Sequence, residues 1–306
     1  MKKRFWNRCH YITFICFLLF TLHTFAQNSS LNQTNAKKIA EGIYMIHGIG
    51  GCMITAIDGP DGVLVIDTGL KPGKLDSVIS TISNHPVKYI LNTNFHFDHV
   101  GGNKLLCDKG ATIIAHENTR DVLAAGWESP DFSGFKVQPE IDKYLPKICF
   151  KDTLNQYFNN NTIQAIHYPF AHSSGDAIYW FRNQNIIHTG DLFVLYGFPY
   201  IDSYHGGTFS GFIKALDNIL KLCNDKTILI PGHGIPGHED ISNRQGLMEY
   251  RDMLVESKVI IAKLIDEGKS LDEIITLDPI SKLLKGPTQG YKKLYITVVY
   301  NELTKK

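Results

Sequence analysis

The chain has 306 residues, 43% hydrophobic and 20% charged, with 31 basic against 30 acidic side chains and a net charge of +1. That composition suits one or two globular domains with a sizeable core, and the even charge balance excludes a chain built to grip a polyanion such as nucleic acid.

The N-terminus reads as an export signal. Lys2, Lys3, Arg4 and Arg8 precede the apolar run Tyr11 to Phe20, and Thr24-Phe25-Ala26 offers small residues at both cleavage positions, so residues 1–26 are expected to be removed after Ala26. The run is short for a membrane span, retention as an anchor being the alternative. Cleavage implies a periplasmic or secreted protein with no stable membrane insertion. Residues 27–36, rich in Asn, Ser, Gln and Thr, are expected to form a flexible lead. Cys52, Cys107, Cys149 and Cys223 form no CxxC pair and read as small apolar residues, with their disulfide state left open.

The folded domain is expected over 37–240. Ile43–Ile46, Met53–Ile57 and Val63–Ile66 are β-prone, and Asp58-Gly59-Pro60-Asp61-Gly62 supplies the turn of an antiparallel hairpin. Leu70–Asn84 carries Leu75, Val78, Ile79 and Ile82 at helical spacing. A strand Val87–Leu91, a strand Ala111–Ala115 and a helix Glu117–Ala125 continue an α/β pattern. Residues 126–147 lack periodicity and carry Trp127, Phe132, Phe135 and Tyr144, which predicts a lid-like insertion. Strands follow at Ile163–Tyr168, Ala177–Phe181 and Asn185–Ile187, then a helix Ser210–Cys223 and a strand Thr227–Ile230. Residues 241–306 are expected to form a helical extension packed on the domain: Gln245–Gly268, Leu271–Ile275 and Tyr291–Leu303.

Chemistry gathers where apolar strands end. Asp67-Thr68-Gly69, Asn94-Phe95-His96-Phe97-Asp98-His99, His188-Thr189-Gly190-Asp191 and Pro231-Gly232-His233-Gly234 each follow such a run, and His172 lies on a loop before another. In an extended segment residues 94, 96 and 98 would share one side while Asp98 and His99 diverge, so one loop would serve two neighbouring ions.

Through VLVIDTG, NFHFDHVGGN, AHSSGD, HTGDLF and PGHG, in order over residues 40 to 240, the chain resembles the metallo-β-lactamase fold superfamily. The resemblance implies an αββα sandwich of two mixed sheets with flanking helices and a metal site at one edge. It implies one zinc site on Asn94, His96 and His172, a second on Asp98, His99 and His233, and Asp191 bridging them. Asp67, and with it His116 and His188, would steady the ligands by hydrogen bonds. His47, His85, His167 and His238 are read as ordinary. The family usually has His where this chain has Asn94, and an amide oxygen is a weak zinc ligand, so one tight zinc and a weaker neighbour are expected. Asp191 and PGHG look more like the glyoxalase II and lactonase side of the family than the β-lactamase subclass that shares Asn but carries Cys at position 191. The iron-binding patterns of persulfide dioxygenases and flavodiiron proteins are not kept.

The resemblance therefore implies an exported zinc hydrolase in which metal-activated hydroxide, oriented by Asp98 as the catalytic residue, attacks a carbonyl of a small-molecule cyclic amide or ester, β-lactam-like or a lactone. A thioester hydrolase of glyoxalase II type and a non-catalytic metal-binding protein with a decayed first site are the alternatives. Oligomeric state is not legible in the sequence.

Overall fold

The structure, a computed structural model, describes residues 35–132, 135–235, 241–284 and 290–305. The expected signal segment 1–26, most of the 27–36 lead and His238 lie outside them.

Seven strands make the first sheet: β1 (Ala36–Ala40), β2 (Ile43–Ile46), β3 (Ile54–Gly59), β4 (Gly62–Ile66), β5 (Val87–Leu91), β6 (Thr112–His116) and, after a small hairpin, β9 (Ile148–Phe150), hydrogen-bonded in that order. Its first four strands run antiparallel and the rest pair in parallel, each crossover needing its own connection. Helices α1 (Pro72–Ile82) and, after the single turn α2 (Phe97–Val100), α3 (Asn103–Asp108) cover its outer face, and α4 (Glu117–Ala125) follows β6. The second sheet orders β10 (Thr153–Phe158), β11 (Asn161–His167), β12 (Ala177–Phe181), β13 (Ile186–His188) and β14 (Ile228–Ile230), antiparallel except for the β13–β14 pair. Helix α5 (Phe209–Leu222) makes that last crossover, and α6 (Arg244–Asp266), α7 (Leu271–Leu277) and α8 (Lys292–Thr304) follow.

Alternation along the strands builds the layers. On β4 Leu64 and Ile66 face β12's Ala177, Tyr179 and Phe181 across the inter-sheet core, while Val63 and Val65 turn to Leu75 and Ile79 of α1. On the far side Ile178, Ile187 and Leu229 pack with Phe212, Leu216 and Ile219 of α5, Leu254 and Ile261 of α6 and Tyr295 of α8. Each such fully buried aliphatic side chain contributes about 1.5–3 kcal/mol of apolar burial. The layering is the αββα sandwich that the resemblance implies.

Several elements differ from expectation. β10 was not read because its pattern is that of an edge strand, Phe158 being its buried residue. α3 is not among the expected elements, since six residues give too little period to see. Residues 126–147 are not structureless: β7 (Trp127–Ser129) and β8 (Phe135–Val137) pair antiparallel. Tyr144 leaves that group of rings, its hydroxyl donating to Asp108.

Candidate metal centre

The stretch expected to be extended instead folds on itself. Asn94 Oδ1 accepts the backbone N–H of His96 at 2.8 Å, a short-range bond that turns the chain, and Phe97–Val100 then forms one helical turn, α2, with His99 N–H donating to His96 O at 2.9 Å. The alternation argument for residues 94, 96 and 98 is thus replaced by a bend followed by a helix. His96 faces one side of the cluster, and Asp98 and His99 the other.

Two groups of ligand atoms result: His96, His172 and Asp191 lie within 4.8 Å of one another, as do Asp98, His99 and His233. Asp191 belongs to both, its Oδ2 lying 3.2 Å from His172 Nε2 and 3.0 Å from His99 Nε2, and its Oδ1 3.2 Å from His233 Nε2. Asp98 Oδ2 is 3.3 Å from His233 Nε2.

The donor set fits a metal on grounds internal to the protein. His96 Nε2 donates to Asp202 Oδ2 at 2.9 Å and His172 Nδ1 donates to the Tyr200 carbonyl at 2.9 Å, yet His96 Nδ1 and His172 Nε2 face each other at 2.9 Å. With their other nitrogens carrying protons, the facing pair needs one more positive charge, which a proton on His172 supplies in the metal-free protein and a metal ion could supply in its place. His99 Nε2 and Asp191 Oδ1 are buried with no hydrogen-bond partner, the expected state of atoms that bind an ion.

The electrostatics agree. Burial alone would lower His172, but Asp191 overrides it and holds the imidazole at about 9. Burial likewise opposes the shift of His99, yet Asp191, Asp67 and Asp98 raise it well above its ordinary value. Asp191 is held well below the carboxylate range because His99, His233 and His172 outweigh its burial. In the metal-free protein the imidazole protons thus balance the carboxylates, the place a metal ion would take.

Hydrogen bonds behind the ligands come from expected and unexpected residues. Asp67, in the left-handed region at φ 60°, accepts from Thr93 N–H, Thr93 Oγ1 and His99 Nδ1 at 2.8, 2.7 and 2.8 Å. His188, expected to help steady the ligands, makes no hydrogen bond to Asp67: its Nε2 lies 3.8 Å from Asp67 Oδ2 without a hydrogen-bond partner, and its Nδ1 bonds Thr55. His116 takes no such part: its Nε2 bonds the Lys151 carbonyl, its Nδ1 accepts from Asn118, and its ring stacks on His167 at 3.5 Å. It was grouped with Asp67 because it ends a strand, but that strand is two places from β4 in the sheet. Asp202 and His205 were missed. No strand precedes them: one local turn brings His205 Nδ1 to Asp202 at 2.8 Å, and only the tertiary fold brings Asp202 to His96.

Asn94 presents its amide nitrogen, not its oxygen, to the cluster: Nδ2 donates to Asp191 Oδ2 at 3.1 Å while Oδ1 is taken by His96 N–H. An amide nitrogen has no lone pair to offer a metal. Cys52, expected as a packing residue, is buried within 4.8 Å of Asp67 and His99 ligand atoms, its thiol pushed up to about 12 by burial. All four described cysteines are free.

Glycines admit the close approaches. A Cβ on Gly232 would lie 2.4 Å from Asp191 Oδ1, and one on Gly190, at φ 51°, would lie 2.6 Å from Thr93 Cβ. The cluster opens into a cavity of about 230 Å³ lined by Phe97, Trp127, Phe132, Phe135, Tyr196, Tyr200 and Tyr291 besides the ligands. No Lys or Arg lines it among the described residues. A larger groove, about 940 Å³ along α5 and Tyr168 to Phe170, contains none of the clustered His and Asp residues.

A family model described as the metallo-beta-lactamase superfamily matches residues 47–233. A hydroxyacylglutathione hydrolase from Pelagibacter ubique (strain HTCC1062) is 30% identical over 201 residues, 65% of this chain and 72% of that protein. A linear primary-alkylsulfatase from Pseudomonas sp. (strain ATCC 19151) is 21% identical over 80% of this chain, which spans 53% of the relative's length. Among solved structures, a stereoselective inverting sec-alkylsulfatase from Pseudomonas sp. superposes with a TM-score of 0.64 at 16% identity, over 88% of this chain and 50% of that one. A metallo-beta-lactamase from Pontibacter korlensis superposes with a TM-score of 0.57 at 15% identity, over 72% of this chain and 98% of that one.

Proposed function

Because the chain belongs to the metallo-beta-lactamase superfamily, whose relatives here are hydrolases, we propose that it is an exported, zinc-dependent hydrolase of a compact, uncharged lactone or ester. The observation that carries the reading is the two-sided cluster about Asp191 opening into a small aromatic cavity. Three imidazoles and two carboxylates, with a fourth imidazole completing the second group, suit zinc. Zinc held there would polarise a carbonyl and lower the pKa of water from about 15.7 toward about 7.

The protein's own residues do the rest. Asp98, on the helical turn, holds one oxygen toward His233 and is placed to accept a proton from the attacking water. Asn94 keeps the Asp191 carboxylate oriented through Nδ2, and the rings about the cavity exclude bulk water. A cavity of about 230 Å³ lies under the roughly 300–1,000 Å³ usual for drug-sized ligands, and its described lining offers no fixed cation to a substrate carboxylate or sulfate. Both facts favour a lactone or ester over a β-lactam and over a sulfate ester.

Thioester hydrolysis is the second reading, favoured by the 30% identical hydroxyacylglutathione hydrolase. Support for export is the basic, then apolar, then small-residue order of residues 2 to 26; N-terminal sequencing of the mature protein tests it. Metal analysis with turnover of a lactone, a β-lactam and an acyl thioester, with and without chelator, tests the reaction. About two zincs per chain and chelator-sensitive lactone turnover support the reading. Metal content without turnover of any substrate would leave a metal-binding protein instead. Asp98→Ala should cut turnover at least a hundredfold with His96, His172 and Asp191 still holding metal.

A further inference from the structure

Four aromatic rings form a continuous wall beside the cluster, and Tyr291 is its hub. Its ring lies 5.5 Å from Tyr200, 5.9 Å from Phe132 and 5.9 Å from Tyr196, at interplanar angles of 56°, 77° and 75°. Phe132 meets Tyr200 at 5.2 Å, and Tyr196 leans on the His233 imidazole at 5.6 Å, so the wall reaches the ligands themselves. The rings come from three separate segments: the β7–β8 connection, the run after Asp191 and the residue that opens α8. Tyr291 lies beyond the residues 47–233 that the family model matches, so the hub belongs to this chain's C-terminal helices.

Tilted rings offer the cavity both faces and edges. A flat aromatic group can set its edge to one face and its face to another edge, a gain that an alkyl group of equal area does not make. The Tyr200 hydroxyl, donating to Asp131 Oδ2 at 3.2 Å, holds one ring of the wall in place.

We infer that this wall is an aryl-binding subsite and that Tyr291 sets its specificity: the preferred substrate carries an uncharged aromatic ring fused to, or one bond from, the acyl C–O bond that is cut. The inference rests on the hydrolase reading above and narrows it. Hydrolysis adds one water across that bond, giving a carboxylate, a phenol and one proton.

The test compares dihydrocoumarin, a lactone fused to a benzene ring, with δ-valerolactone, the same lactone ring without it, on the zinc-loaded protein. Each kcat/KM is divided by the compound's own hydroxide-catalysed rate, which removes the difference in leaving group. The wild type should favour dihydrocoumarin, Tyr291→Leu should shrink that ratio about tenfold, chiefly through KM, and Tyr291→Phe should keep it within about twofold. Binding of 2-tetralone against cyclohexanone, read by quenching of Trp127 fluorescence, needs no turnover. If neither lactone is hydrolysed but 2-tetralone binds and Tyr291→Leu weakens it, the subsite stands and the hydrolase reading falls. A normalised ratio near one, equal loss on both lactones in Tyr291→Leu, or 2-tetralone binding no better than cyclohexanone overturns the subsite.

Discussion

One oxygen of Asp202 accepts from both His96 Nε2 and His205 Nδ1. Burial opposes its ionisation, but those two bonds hold the carboxyl well below the usual carboxylate range, so it keeps the proton of His96 on Nε2 and leaves Nδ1 open to a metal ion. Asp202→Asn should weaken zinc held by His96, His172 and Asp191 about 10–100-fold, measured by competition with a chromogenic chelator, while the Asp98, His99 and His233 group keeps its metal. Equal loss from both groups would remove Asp202 from this role. The clustered His and Asp residues were legible because each ends an apolar strand or sits beside a glycine. Asp202 and Thr93 were not, because tertiary structure brings them to His96 and Asp67 and leaves no local period or spacing, and the three-residue step from Asp202 to His205 reads only as a turn. Asn94 was legible as an odd residue, but the direction of its amide depends on the backbone N–H of His96, which only the bend at residue 94 places.

At the scale of elements, strands and helices with strong period stand where the sequence puts them. Ile43–Ile46, Val87–Leu91, Ala177–Phe181 and Glu117–Ala125 agree residue for residue, because core burial and side-chain period point the same way. The weak elements, β1, β7, β8, β9 and β10, take their structure from neighbours and gave little signal. The tie between α5 and α8 is of the same non-local kind. Glu302 of α8 accepts the N–H groups of Phe209 and Ser210 at 2.8 and 3.1 Å, placing a carboxylate on the positive end of α5. Glu302→Ala should cost about 1–2 kcal/mol and lower Tm by a few degrees in scanning calorimetry, whereas Glu302→Gln, which still accepts one bond, should recover part of it. An unchanged Tm in the alanine variant would mean that water replaces the carboxylate at no cost.

Across the whole molecule the ligands come from both sheets: His96, Asp98 and His99 follow β5, Asp191 and His233 follow β13 and β14, and His172 precedes β12. A metal would therefore tie the two halves, and chelation should lower Tm by about 10 °C for a tightly held ion. The pH dependence has a definite sign. In metal-free protein His172 is raised from 6.5 to about 9, so the stability from its pairing with Asp191 is fully present below pH 6.5 and lost as pH rises to about 9. Zinc needs the unprotonated nitrogen, so its affinity rises over the same window. The Tm gap between zinc-loaded and chelated protein should widen from pH 6.5 to 9; a constant gap would remove His172 from the ligand set. Asp191 and His233 follow strand ends clamped by backbone pairing, as where Leu195 N–H meets the His233 carbonyl, while two rings of the cavity wall, Phe132 and Tyr291, stand on the β7–β8 connection and at the start of α8. Those two rings are thus carried on segments that hold none of the clustered His and Asp residues, so they can change while the cluster stays. A lineage can trade Phe132 or Tyr291 for other side chains and change its diet without relearning its chemistry, so libraries confined to those two positions should yield new substrate ranges at constant metal content.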